Sequence, residues 1–261
     1  MLLANRRVAE YCAYRMVNGR KVARPMVFRV HDEPSEDKLE RFREFALRFG
    51  HYFKAQKGRA IAKEMNKLLG TIQGRPEHNA ITTLAVRSMA KAVYTTDNIG
   101  HYGLAFPYYT HFTSPIRRYP DMMVHRLLAS YLNGAKSADK RYLEQLAVHS
   151  TEREIIASEA ERASIKYKMA EFMKDRIGEE FDGVISGMTE WGVYVELNDT
   201  HVEGMAFLRD IDDDDYYRFD EARYEVVGRS SGIRLTLGSR VRVRVKNVDL
   251  NRRTLDFKLL L

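Results

Sequence analysis

Little in this 261-residue chain could hold it together covalently. Cys12 is its single cysteine, so neither an internal disulfide nor a cysteine-cluster zinc site can form, and a small buried side chain in a reducing, cytoplasmic setting is the expectation. No apolar run approaches the roughly 20 residues of a membrane-spanning helix. The opening residues, MLLANRRVAEYCAYRM, do not read as a signal peptide, because Asn5, Arg6, Arg7 and Glu10 interrupt the apolar positions and no small-residue cleavage site follows. They predict an amphipathic helix with Leu2, Leu3, Val8, Ala9 and Cys12 on one side. No capping residue precedes it, as expected of a chain cut inside an element. Acidic residues are in deficit, 36 against 43 lysines and arginines, and the net charge of +7 favours an anionic partner, nucleic acid first. With 44% hydrophobic and 30% charged residues, the composition is that of a folded protein.

Proline and glycine are sparse enough to act as punctuation. Met26 to Val30 predicts a strand, and Asp32 to Ser35 a turn whose Pro34 or Ser35 caps the next helix. That helix, Glu36 to Phe49, carries Leu39, Phe42, Phe45, Ala46 and Phe49 at 3.6-residue spacing, and Gly50 ends it. Two more helices are expected, Gly58 to Leu69 and Glu77 to Thr95, across the loop GTIQGRPEH. Ser137 to Arg176 lacks both proline and glycine and is rich in Glu, Arg, Lys and Ala. It predicts one long helix or two abutting ones, with Leu143, Leu146, Ile155, Ile156, Ile165 and Met169 inward.

From Ile177 the period changes from helix to strand. EEFDGVISGMTEWGVYVEL alternates, and SRVRVRVKNVDLNRRTLDFKLLL sets Val241, Val243 and Val245 against Arg240, Arg242 and Arg244. Short strands with Gly183, Gly187, Gly192 and Gly204 suit a five-stranded Greek-key barrel of the OB class. Such barrels stack bases on exposed aromatics beside basic residues that meet phosphate. Trp191, Tyr194 and Phe207 are candidates for the first role and Arg253 for the second; the competing reading makes two of the three aromatics core. The acidic run Asp210 to Asp215 reads as a solvated loop rather than a magnesium site, because crowded aspartates lack the rigid near-octahedral support that ion needs.

YTHFTSPIRRYPDMMVHRLL holds the densest chemistry. Thr113 or Ser114 can cap a helix with Pro115 at its first position, and Pro120 then forces a kink or a restart. Free amides beside guanidinium groups favour an anion such as phosphate. Adjacent helical residues point about 100° apart, so one of Arg117 and Arg118 is expected to face a ligand and the other the structure. An ion pair of Asp121 with Arg117 or with Arg118 is the competing reading.

NIGHYGLAFPYYTHFTSPIRRYPDMMVHRLL resembles the signature segment of the ribonuclease II and ribonuclease R family of processive exoribonucleases, and MLLANRRVAEY an earlier helix of the same catalytic domain. DDYYRFDEARYEVVGRSSG is most similar to the ribonuclease R branch. FDGVISGMTEWGVYVEL, VEGMAFLRDI and VRVKNVDLNRRTLDF together resemble the RNA-binding domain of the ribosomal protein S-one family.

The resemblance implies an α+β chain. Residues 1–176 would be the mostly helical C-terminal portion of an RNB-type catalytic domain, truncated at its N-terminus, and residues 177–261 an all-β OB-fold barrel. It further implies a magnesium-dependent 3′-to-5′ exoribonuclease releasing nucleoside 5′-monophosphates from single-stranded RNA. Arg117 takes the catalytic position, contacting phosphate near the scissile bond. Glu161 borders the RNA channel, and Tyr109, His111, Thr113, Ser114 and Arg118 line the site, while His101 packs or bonds locally. On the barrel the RNA-facing set falls on Trp191, Tyr194, Phe207, Asp249 and Arg253; Phe207 stands where that family often has histidine, which keeps stacking but loses a polar contact. The family's two magnesium ions are held by an aspartate cluster early in the catalytic domain, and no such D-x-D-D arrangement stands ahead of the barrel. No metal is therefore expected on this chain alone. The alternative it leaves is a catalytically inactive RNA-binding fragment, or one completed by the N-terminal part of the same enzyme.

Overall fold

A computed structural model of the chain describes residues 1–55, 58–75, 78–211, 215–221 and 223–261. It contains two compact units. One comprises Met1–Arg41, Lys54–Asn66 and Arg87–Ser158, the other Phe42–Phe53, Lys67–Val86 and Glu159–Leu261.

In the first unit, helix α1 (Leu2–Ala13) leads into a hairpin of β1 (Tyr14–Val17) and β2 (Arg20–Ala23). Its turn residues Asn18 and Gly19 have φ of 49° and 75°. Two consecutive positive φ values match the twist of a two-residue hairpin, and Asn-Gly is the pair that adopts them most readily. Strand β3 (Phe28–Val30) is followed by α2 (Glu36–Arg48), α3 (Arg59–Thr71) and α4 (His78–Ser88), each crossing into the second unit's residues or lying there. Strand β4 (Val93–Thr95) returns to pair antiparallel with β3, Phe28 opposite Thr95. Helices α5 (Tyr119–Leu132) and α6 (Lys140–Lys174) follow. Cys12, Met26, Val27, Phe28, Val124 and Ala147 lie at the centre of this unit's apolar core.

In the second unit, β5 (Glu180–Met188), β6 (Gly192–Leu197), β7 (Glu203–Phe207), β8 (Tyr217–Asp220), β9 (Glu225–Gly228), β10 (Arg234–Leu235), β11 (Arg240–Asp249) and β12 (Thr254–Leu260) follow in turn. Five of them close a barrel in the order β11-β12-β7-β6-β5, with β12 and β7 parallel and the other neighbours antiparallel. Strands β8, β9 and β10 form a separate antiparallel sheet inserted in the chain between β7 and β11. The alternation in β11 is realised as expected: Val241, Val243 and Val245 are buried while Arg240, Arg242 and Arg244 are exposed. Gly204 leaves room for the buried Phe257 ring, which a Cβ at that position would approach to 2.6 Å.

Several expectations are corrected. The helix expected from Glu77 to Thr95 stops at Ser88, because Val93 to Thr95 finds a strand partner far away in sequence; Glu77 itself lies outside the described residues. Leu2 and Leu3 are exposed, and the buried stripe of α1 is Asn5, Ala9, Cys12 and Ala13. Asn5 takes a core place because its amide has two partners there, Tyr109 and Phe112. Residues 140–174 form one helix, but Ile155, Ile156 and Ile165 are exposed on it, while Leu143 is buried. Burial pushes the Cys12 thiol up to about 11, an inert side chain packed in the core.

Candidate nucleic-acid interface

The arginine stretch is not one helix. Ser114 accepts backbone hydrogen bonds from Arg117 (3.3 Å) and Arg118 (3.1 Å), so Pro115 to Arg117 form a turn, and α5 begins only at Tyr119. The expected start at Pro115 is therefore replaced by the restart. Pro120 sits in the first turn, where a missing N–H breaks no intrahelical bond. Asp121 holds the turn against the helix. Its Oδ1 accepts from the Ser114 amide at 2.8 Å and from Arg118 Nη2 at 2.9 Å, and the residue is fully buried.

This geometry separates the two arginines. Arg118 is committed to Asp121, while Arg117 is exposed and makes no ion pair among the described residues. Ile116, at the tip of the turn, is fully exposed. Both arginines line a cleft of about 620 Å³ with Tyr94, Tyr119 and Leu146.

Behind the turn, the other residues singled out in the sequence are buried or half-buried. Tyr109 is 5% exposed; its hydroxyl accepts from Asn5 Nδ2 at 3.1 Å and its carbonyl from the Arg29 amide at 3.0 Å. Thr113 is half-buried. His111 Nδ1 lies 2.7 Å from the Tyr94 hydroxyl. Burial, with the nearby Arg118 and Arg29 charges, brings the His111 imidazole down to about 4, and burial pushes the Tyr94 phenol up to about 12. The neutral ring therefore accepts and the phenol donates. His101 packs edge-to-face on Tyr109 at 5.2 Å and accepts from the Leu104 amide, and burial beside His31 and Arg29 brings its imidazole also to about 4.

On the barrel, Tyr194, Phe207, Asp249 and Arg253 line one cleft of about 660 Å³, together with Arg162 and Lys166 from α6. Asp249 Oδ1 accepts from the Arg252 amide at 2.9 Å and so shapes the β11–β12 turn, whose Arg253 has a left-handed φ of 56°. Phe207 is half-buried, with the Arg209 guanidinium 5.1 Å from its ring centre. Trp191 is 67% exposed and Tyr194 36%, so neither is core. Trp191 stands outside the cleft lining, and Glu161 is exposed on α6. The sequence reading missed Arg162 and Lys166, which their spacing of four on a helix places on one face. It missed Asn5 altogether, because a buried amide leaves no trace in a hydrophobic pattern.

The described residues do not fit a magnesium pair. Among them no three of His, Cys, Asp and Glu gather as an ion site. The buried carboxylate nearest the arginine turn, Asp121, gives its Oδ1 to a guanidinium and an amide; its Oδ2 is buried without a partner, but no second carboxylate gathers with it among the described residues. Of the acidic run, Asp212 to Asp214 lie outside the described residues. Asp210 pairs with Lys246 at 2.7 Å, and the Ser231 hydroxyl with the amides of Ser230, Ser231 and Tyr216 hold Asp215 well below the usual carboxylate range. No helix among the described residues is long and apolar enough to cross a membrane.

A closed five-stranded barrel with exposed aromatics beside basic side chains is the architecture of an oligonucleotide-binding module, and residues 174–259 match the S1 RNA binding domain. Residues 1–134 match the RNB domain, and the chain belongs to the RNB domain family. It is 41% identical over 239 residues to ribonuclease R of Aquifex aeolicus, covering 90% of this chain and 34% of that protein. With ribonuclease R of Escherichia coli K12 the identity is 35% over 272 residues, covering 100% of this chain and 32% of that one. The chain thus spans about a third of the length of the curated relatives it matches. Among solved structures, the apo form of Mycoplasma genitalium RNase R superposes with a TM-score of 0.81 at 26% identity, over 100% of this chain and 40% of that one. The same enzyme in complex with ribose methylated single-stranded RNA gives 0.80 at 26% identity, with the same coverage.

Proposed function

We propose that this chain is the C-terminal portion of a processive 3′-to-5′ exoribonuclease of the ribonuclease R type, which holds single-stranded RNA and hydrolyses it to nucleoside 5′-monophosphates. Residues 1–176 would belong to the catalytic domain and residues 177–261 to the RNA-binding barrel. The observation that carries the reading is the division of labour at the arginine turn: a buried carboxylate fixes Arg118, and the same turn leaves Arg117 exposed for an anion. An arginine so held can meet a phosphate and stabilise charge that develops as its ester bond breaks. Ser114 and Arg118 act by shaping the turn, and Tyr109, His111 and Thr113 by supporting it. Trp191, Tyr194 and Phe207 would stack bases, Arg253 would meet the backbone, Asp249 would set the turn that presents it, and Glu161 would border the strand's path.

Magnesium is the cofactor implied by the family reaction, and a cytoplasmic setting fits a single buried thiol; the residues described here supply RNA contacts, not metal ligands. The test follows 5′-labelled oligoribonucleotide with this chain alone, and with the aspartate-bearing part of a ribonuclease R catalytic domain added as a separate polypeptide and magnesium present. Salt-sensitive binding that survives chelation is expected from the chain alone, and shortening from the 3′ end, lost in Arg117→Ala, from the mixture. Failure of the folded chain to bind single-stranded RNA at all would overturn the proposal.

A further inference from the structure

The cleft beside the arginine turn has more cationic character than Arg117 alone accounts for. Its far wall is α6, where Arg153 lines the same cavity as Arg117 and Tyr119. Arg153 is exposed, and no carboxylate among the described residues pairs with it. Its neighbour in sequence, Glu154, also lines the cleft but is spent: it makes a two-pronged bond with Arg29, Nη1 to Oε2 at 2.5 Å and Nη2 to Oε1 at 3.0 Å. Arg118 is likewise neutralised by Asp121. With those two pairs set aside, the formal charge left to the cleft is +2, on Arg117 and Arg153, over a floor that includes Leu146, Pro120 and Ala157. Two unpaired guanidinium groups around an apolar floor form a site for a doubly anionic stretch of chain, because the low-polarity wall strengthens their field and no internal carboxylate competes.

We infer that Arg153 is a second phosphate-binding residue, which grips a backbone phosphate of the same RNA strand that Arg117 contacts. This rests on the proposed function above. Arg153 reaches the cleft from α6 and Arg117 from the turn before α5, so the two hold the strand from two separate elements. The Arg29–Glu154 pair, stacked with the Arg29 guanidinium 4.5 Å from the Tyr94 ring centre, keeps Glu154 from neutralising its neighbour.

The experiment measures binding of a short oligouridylate to the full chain, in chelator, across a salt series, for Arg153→Ala, Arg153→Lys and Arg117→Ala. Each phosphate contact to a single strand contributes about 0.7 to the slope of log affinity against log salt. Arg153→Ala is expected to lower the slope by about 0.7 and the affinity at 0.1 M salt about fivefold. Arg153→Lys keeps the slope, and the unfolding midpoint stays unchanged because the residue is exposed. If Arg153→Ala leaves slope and affinity unchanged while Arg117→Ala lowers both, the second contact is refuted and the proposed function stands. If neither substitution alters binding, the reading of the cleft as an RNA site falls, and this inference with it.

Discussion

Replacing Asp121 tests the structural core of the site. Its carboxylate is fully buried and holds two donors, the Ser114 amide and the Arg118 guanidinium. Asp121→Ala removes a charge-assisted bond to the amide, at about 1.5–3 kcal/mol, and strands a guanidinium. Breaking a buried pair costs about 3–5 kcal/mol, but Arg118 keeps 22% of its side chain exposed and can recover part of that from water. The expected total is about 3–5 kcal/mol, which lowers the melting temperature by about 10 °C in a chain of this size. Asp121→Asn keeps an acceptor for the amide and costs less, about 2–3 kcal/mol. Because about half of the loss in Asp121→Ala is the stranded cation, adding Arg118→Ala should recover about 2 kcal/mol. A double-mutant cycle by urea denaturation reads this coupling. Additive losses, or an Asp121→Ala cost under 1 kcal/mol, would refute the clamp.

Acid should destabilise the first unit through His101 and His111. Both imidazoles titrate near 4 in the folded chain against 6.5 ordinarily, so between those values the unfolded chain binds more protons. Stability is fully present above pH 6.5 and declines as pH falls toward 4, by about 1–2 kcal/mol per ring, because both rings are only half-buried and solvent screens part of the effect. A urea midpoint that stays flat from pH 7 to pH 4.5 in the wild type, or a slope that is unaltered in His111→Phe, contradicts this. Gly204→Ala should cost about 1–3 kcal/mol, because the new Cβ would meet the fully buried Phe257 ring at 2.6 Å and that ring has nowhere to retreat. An unchanged unfolding midpoint would show that the barrel yields there.

The barrel was legible because strand alternation is a local signal: Val241, Val243 and Val245 had to share a face whatever lay opposite. The pairing of Asp121 with Arg118 stood among the readings the sequence offered, but the different settings of Arg117 and Arg118 come from the turn before α5 and not from the helical geometry expected there. Strand β4 was not, since Val93 to Thr95 becomes a strand only through its pairing with Phe28 to Val30, more than sixty residues earlier. The inserted sheet of β8, β9 and β10 carries only two to four residues per strand, too few for a period to declare itself. Ile155, Ile156 and Ile165 misled because apolarity on a long helix does not say which side meets a neighbour. The burial of Tyr109 was not legible either, since its hydroxyl is met by the buried amide of Asn5 more than a hundred residues earlier.

Trp191 is the chain's single tryptophan and stands 67% exposed on the barrel, so its emission reports directly on whether RNA reaches that face. Titrating oligouridylate into the folded chain in chelator should quench that emission saturably, with a midpoint that weakens as salt rises and shifts further in Arg117→Ala. Emission that is indifferent to oligouridylate at low salt would contradict the claim that this chain grips a single RNA strand by its barrel aromatics and its arginine turn.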